Sequence, residues 1–169
     1  MSYQSSDFSP EVQQKTRDIA EQFYGTETHP DHIPINADSA AKLDSISTIW
    51  FNCALDEKGE PISWVVLIPT SHDLMQAFVS GTITERQLFD ATATETPQEA
   101  LYLCSALTIP AYRRKGLAMK LMLEAVETFE ATGPKELFAW PYSPEGEQMI
   151  KTMSERLKRK IYIRESTND

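Results

Sequence analysis

The chain has 169 residues, 41% of them hydrophobic, which suits one soluble domain built around one core and spanning residues 1–169. Its 16 Lys and Arg against 25 Asp and Glu leave a net charge of −9, and its basic clusters, Arg113-Arg114-Lys115 and Lys158-Arg159-Lys160, are short. Such a surface repels phosphate backbones, which argues against nucleic acid as a main partner, and it draws in cations such as amines.

The opening residues, Met1-Ser2-Tyr3-Gln4-Ser5-Ser6-Asp7, have neither a basic region nor an apolar run, so no signal peptide is expected. Ser9-Pro10-Glu11 then reads as a cap, a proline at the first helical position and an acid in the first turn. Val12, Thr16, Ile19, Ala20 and Phe23 follow at helical spacing up to Gly25. Residues 26–36 read as loop, and a short helix is predicted from Asp38 to Leu43. His29-Pro30-Asp31-His32 invites a metal reading, but the proline breaks a helical register and no third ligand cluster is near, so no metal is expected.

Thr48 to Leu55 and Pro61 to Pro69 are predicted strands of a hairpin turned by Asp56-Glu57-Lys58-Gly59-Glu60. Two helices should follow, one over His72 to Val79 and one opening at the capping box Thr84-Glu85-Arg86-Gln87. Thr92 to Gln98 is loop, and Leu101 to Ile109 is a buried strand ended by Pro110. From Arg113 to Glu130 the pattern is helical, with an apolar stripe of Ala118, Leu121, Met122, Ala125, Val126 and Phe129. A strand over Leu137 to Trp140, a helix capped by Ser143-Pro144-Glu145 and a strand over Lys160 to Arg164 complete the order. No apolar stretch approaches the ~18 residues of a membrane span. Cys53 and Cys104 both fall in predicted strands, so a reduced, cytoplasmic protein with no membrane partner is the expectation.

The segment Leu107 to Ala118 carries the chemistry. A strand leads into a tight basic loop and then a helix start, whose unpaired N–H groups and dipole suit an anion. Gly116 and Ala118 are small where the anion must approach, and Arg113, Arg114 and Lys115 add charge. The residues alone predict a phosphate or pyrophosphate site.

Arg113-x-x-Gly116-x-Ala118, between an apolar strand and an amphipathic helix, resembles the signature of the GNAT superfamily of N-acetyltransferases. The resemblance covers about residues 100 to 141. It implies an α/β fold: a mixed, mostly antiparallel sheet flanked by helices, with acetyl-CoA as co-substrate. Leu107, Thr108 and Ile109 would contact pantetheine through main-chain groups in a slot splayed between two strands. Arg113, Arg114, Lys115, Gly116, Leu117 and Ala118 would hold the pyrophosphate. Departures from the pattern are visible too. The family's first strand is not evident, Ser143 stands where an Asn is usual, and Ser154 lies in the region of the usual acid, a Tyr.

Transfer to an amine also needs a base and donors to the oxyanion. Histone-type members of the superfamily carry a glutamate eleven residues before the signature, a count that lands here on Tyr102. Candidate catalytic residues are therefore Tyr102, Glu99 just upstream, and Tyr142, which the resemblance places near the thioester sulfur. Cys104, on the Tyr102 face by alternation, reads better as a small buried hydrophobe than as an acyl acceptor. The helical insertion from about Thr70 to Gln98 reads either as a substrate lid or as a packing element standing in for the first strand.

The reading is an N-acetyltransferase acting on a primary amine of a small molecule or peptide by direct attack. A non-catalytic acyl-CoA-binding or regulatory module on the same fold is the alternative, and an interaction domain with a chance motif is a third. Antibiotic, polyamine, amino acid, peptide N-terminus and protein lysine are all open as acceptors. Families resembling this one include homodimers.

Overall fold

The computed structural model describes residues 2–4, 8–24, 30–34, 36–141 and 143–164. Its six strands are β1 (Ser2–Gln4), β2 (Phe51–Leu55), β3 (Pro61–Thr70), β4 (Ala100–Thr108), β5 (Glu136–Ala139) and β6 (Ile161–Ile163). They lie side by side in chain order, antiparallel from β1 to β4 and parallel from β4 to β6. The helices are α1 (Pro10–Tyr24), α2 (Ala37–Ile46), α3 (His72–Val79), α4 (Glu85–Ala91), α5 (Leu117–Glu130) and α6 (Pro144–Leu157).

Local chemistry sets most of these boundaries. Ser9 Oγ accepts from the Val12 N–H at the start of α1, and Ser71 and Ser143 cap α3 and α6 in the same way. Capping boxes close the starts of α2 (Asn36 with Ser39) and α4 (Thr84 with Gln87). The hairpin turn is held by Asp56 Oδ1, which accepts from the N–H groups of Lys58 and Glu60. Gly59 takes the left-handed conformation that the turn requires.

Alternation along the strands gives two cores. One face buries Val65, Leu67, Leu101, Leu103 and Leu137 beneath α5 and α6. The other buries Trp64, Ile68, Tyr102 and Phe138 against α1 to α4.

Three expectations are corrected here. The first strand is present: β1 pairs with β2, Ser2 opposite Ala54, but three residues at the chain start leave no readable pattern. The segment from Thr70 to Gln98 is a packing element rather than a lid, because Met75, Phe78, Leu88 and Phe89 are buried in the core, and it packs there alongside β1 rather than in its place. It is also tied to α2: Lys42 Nζ donates to the carbonyls of Phe89 and Asp90, Thr94 Oγ1 to that of Ser45, and Gln98 Nε2 to that of Ile46. Finally, α5 begins at Leu117 rather than Arg113.

Candidate functional site

β4 is the axis of the site. It pairs with β5 only from Ala100 to Leu103, and beyond Leu103 that edge meets no strand among the described residues. The strand also carries an irregularity there. Val66 pairs with Ser105 but Leu67 pairs with Leu103, so Cys104 is an extra residue, a β-bulge. The bulge shifts the alternation: Tyr102, Cys104, Ser105 and Leu107 all belong to the α1–α4 side. Ile109 N–H donates to the Ile62 carbonyl, and Ser63 Oγ to that of Leu107, both toward β3. The main chain of Thr108 therefore turns to the open edge, where Arg113 Nε donates to its carbonyl at 3.1 Å.

After β4, a 3-10 turn over Pro110–Tyr112 leads into the basic loop. Arg114 (φ 65°) and Gly116 (φ 72°) both adopt left-handed backbone, a conformation that costs Arg114 about 1–2 kcal/mol. No side chain caps α5, and a Cβ at Gly116 would meet nothing within 4 Å. The exposed Arg114 and Lys115 flank this opening. Free donors, room and positive charge fit a diphosphate, with Leu117 and Ala118 supplying N–H groups from the first turn. Arg113 also braces the loop, its guanidinium lying over the Phe23 ring of α1.

A cavity of about 320 Å³ lies between α1, α2 and the sheet. Trp50, Trp64, Val66 and Ile68 form its floor, while Cys104 and Ser105 bring it to the point where the β4 edge opens. Among the described residues Glu85 from α4 is the one acid in its wall, only 5% exposed. One Glu85 oxygen accepts from the Tyr102 hydroxyl at 2.8 Å, and the other from the Ile33 N–H at 3.3 Å while lying 3.9 Å from His32 Nδ1. The His32 ring stacks on Trp140. The Glu85 carboxylate raises the His32 pKa above its ordinary value, outweighing burial, and the charge of Asp31 adds to the rise. Burial, joined by the charge of Glu85, pushes the Cys104 thiol well above its ordinary range, and burial pushes Cys53 up to about 12. Both thiols stay protonated near neutrality, which makes Cys104 a poor acyl acceptor.

The candidates read from sequence therefore separate. Tyr102 is wholly buried, and its hydroxyl donates to Glu85 in the cavity wall. Glu99 is displaced from the site: it lies before β4, its carboxylate accepts from the His72 N–H, and five extended residues put it about 17 Å from Cys104. Ser143 Oγ is committed to the Gly146 N–H as a helix cap. Tyr142 lies outside the described residues, as does His29. Sequence reasoning missed Glu85 as more than a capping-box residue, and weighed His32 only as a metal ligand. One signal was available for the first: Glu85 shares a helix face with Leu88 and Phe89, an acid on an apolar stripe. Among the described residues no cluster of three His, Cys, Asp or Glu is arranged for a metal, and no helix is long and apolar enough to cross a membrane.

Comparison with known proteins agrees with this geometry. An aminoglycoside N-acetyltransferase solved with CoA shares the fold at TM-score 0.56 and 13% identity, covering 100% of this chain and 93% of its own. A mosquito arylalkylamine N-acetyltransferase-like protein does so at 0.57 and 14%, covering 93% and 81%. An acetyltransferase from Vibrio fischeri gives 0.52 and 14%, covering 82% and 93%. At such identities the likeness is one of fold, and no curated protein sequence matches the chain. The family model described as Acetyltransferase (GNAT) family matches residues 12–156, which include the splayed strand, the left-handed glycine and the uncapped helix start, and the chain belongs to that family.

Proposed function

We propose that the 169 residues form one N-acetyltransferase domain that moves the acetyl group of acetyl-CoA directly to a primary amine. The observation that carries this is the meeting, at Cys104–Ser105, of an open strand edge leading to a basic loop with a cavity that holds the acid Glu85. Main-chain groups of Thr108 line the donor side, since the Leu107 carbonyl and the Ile109 N–H are taken up by β3. Arg114, Lys115, Gly116, Leu117 and Ala118 hold the diphosphate, with Arg113 fixing the loop.

On the acceptor side, Glu85 binds the ammonium and takes its proton, since a lysine-like amine (unperturbed pKa ~10.4) arrives charged. The neutral nitrogen attacks the thioester carbonyl carbon and a C–N bond forms. The C–S bond then breaks and the thiolate leaves with a proton, for which Tyr142 is our assigned donor; the second proton shed by the attacking nitrogen restores that donor. The products are the acetamide, CoA thiol and one released proton. Tyr102 positions Glu85.

Isothermal titration with acetyl-CoA, followed by thiol-release assays on amines, tests the proposal. Near-stoichiometric binding with turnover supports it. Binding without turnover on any amine favours the non-catalytic acyl-CoA module, and a folded protein that binds no acetyl-CoA refutes both.

A further inference from the structure

We infer that the acceptor is a compact monoamine: a single ammonium group on an uncharged, apolar body about the size of one aromatic ring. This rests on the amine-transfer reading above and specifies the chemistry its cavity selects. The volume of about 320 Å³ sits at the lower end of the ~300–1,000 Å³ usual for small-molecule sites, so the body is small.

Charge decides the rest. Among the described residues, Glu85 is the one acid and Arg17 the one Lys or Arg in the lining. A second ammonium on the acceptor would face Arg17 or the apolar floor, with no second carboxylate among the described residues to replace its lost water. Several of the polar side chains around the cavity are already engaged. Asn36 Oδ1 accepts from the Ser39 N–H, Ser39 Oγ donates to the Pro34 carbonyl, and Thr16 Oγ1 donates to the Gln13 carbonyl. Trp50 Nε1 is turned to Asp44 Oδ1 at 2.6 Å, outside the lining. A hydroxyl-rich acceptor would find few partners, whereas an aromatic or cycloalkyl body would be received by Trp50 and Trp64.

The test compares initial thiol-release rates, at saturating acetyl-CoA, for 2-phenylethylamine, ethylamine, spermidine and kanamycin. The expectation is a kcat/KM for 2-phenylethylamine about 100-fold or more above those for spermidine and kanamycin, and about tenfold or more above that for ethylamine. Ala40→Phe, which fills the cavity from α2, should raise KM for 2-phenylethylamine about tenfold or more while leaving acetyl-CoA affinity unchanged. Titration of each amine into the protein–CoA complex keeps the question decidable if no amine turns over. In that event the transfer reading fails, while selective binding of 2-phenylethylamine still supports the acceptor class. Spermidine or kanamycin equal to or better than 2-phenylethylamine, in rate or in binding, overturns it, as does ethylamine matching 2-phenylethylamine.

Discussion

Replacing Glu85 with Gln removes one charge and almost no volume, which makes it the sharpest perturbation of the site. The carboxylate now accepts from Tyr102 and Ile33 on separate oxygens. An amide offers one oxygen. With that oxygen kept on Tyr102, its NH₂ faces the Ile33 N–H, donor against donor, a mismatch of about 1–3 kcal/mol. Relief from burying a carboxylate offsets part of this, so Tm should fall by no more than ~4–8 °C for a chain of this length. The functional loss should be larger. A hydrogen bond to a charged group is worth ~1.5–3 kcal/mol, and removing a general base costs ~10²–10⁴ in rate. We expect kcat/KM for the amine to drop on the order of 10²–10⁴ in the thiol-release assay, with the acetyl-CoA Kd unchanged. An amine kcat/KM within about threefold of wild type would remove Glu85 from the chemistry. A tenfold loss of acetyl-CoA affinity would instead show that the acid serves the donor side.

Four further outcomes are expected. Gly116→Val forces a β-branched residue into left-handed backbone at about 1–2 kcal/mol, so calorimetry should show Tm lowered by ~2–8 °C while acetyl-CoA titration shows a loss of tenfold or more. Tyr102→Phe takes a donor from a buried carboxylate and should lower stability by about 1–3 kcal/mol in urea unfolding; it should also reduce turnover but leave acetyl-CoA Kd intact. The His32 pKa is raised in the folded state, so its pair with Glu85 stabilises fully below the unfolded value of 6.5 and loses that contribution as pH rises through the folded value. The Tm advantage of wild type over His32→Asn should accordingly shrink across that range. Ellman titration of the native protein near pH 7.5 should find Cys53 and Cys104 slow to react, and both fast after denaturation.

How legible the site was depends on how local each part is. The loop from Arg113 to Ala118 stood out because one short segment supplies both its charge and its glycine. The caps at Ser9, Thr84 and Ser143 were readable for the same reason. Tyr102 and Cys104 were placed on one face by alternation, but the bulge that adds Ser105 and Leu107 to that side depends on pairing with β3, 40 residues away. Glu85 is further still from local inference. Its burial comes from Ile33, His32 and Tyr102, contributed by two segments that only the folded sheet brings together. The start of α5 was misread because Arg113 to Gly116 continue a polar pattern compatible with a helix, whereas Arg114 and Gly116 leave helical backbone altogether.

The ties between α2 and the segment after α4 give the cavity a mechanical property. Ala40 and Leu43 of α2 form one wall, and Glu85 of α4 carries the charge. Lys42, Thr94 and Gln98 bind those two pieces into one body. On the proposed reading, an oversized acceptor that pressed α2 outward would carry the Glu85 carboxylate with it, so displacement as well as fit would discriminate between guests.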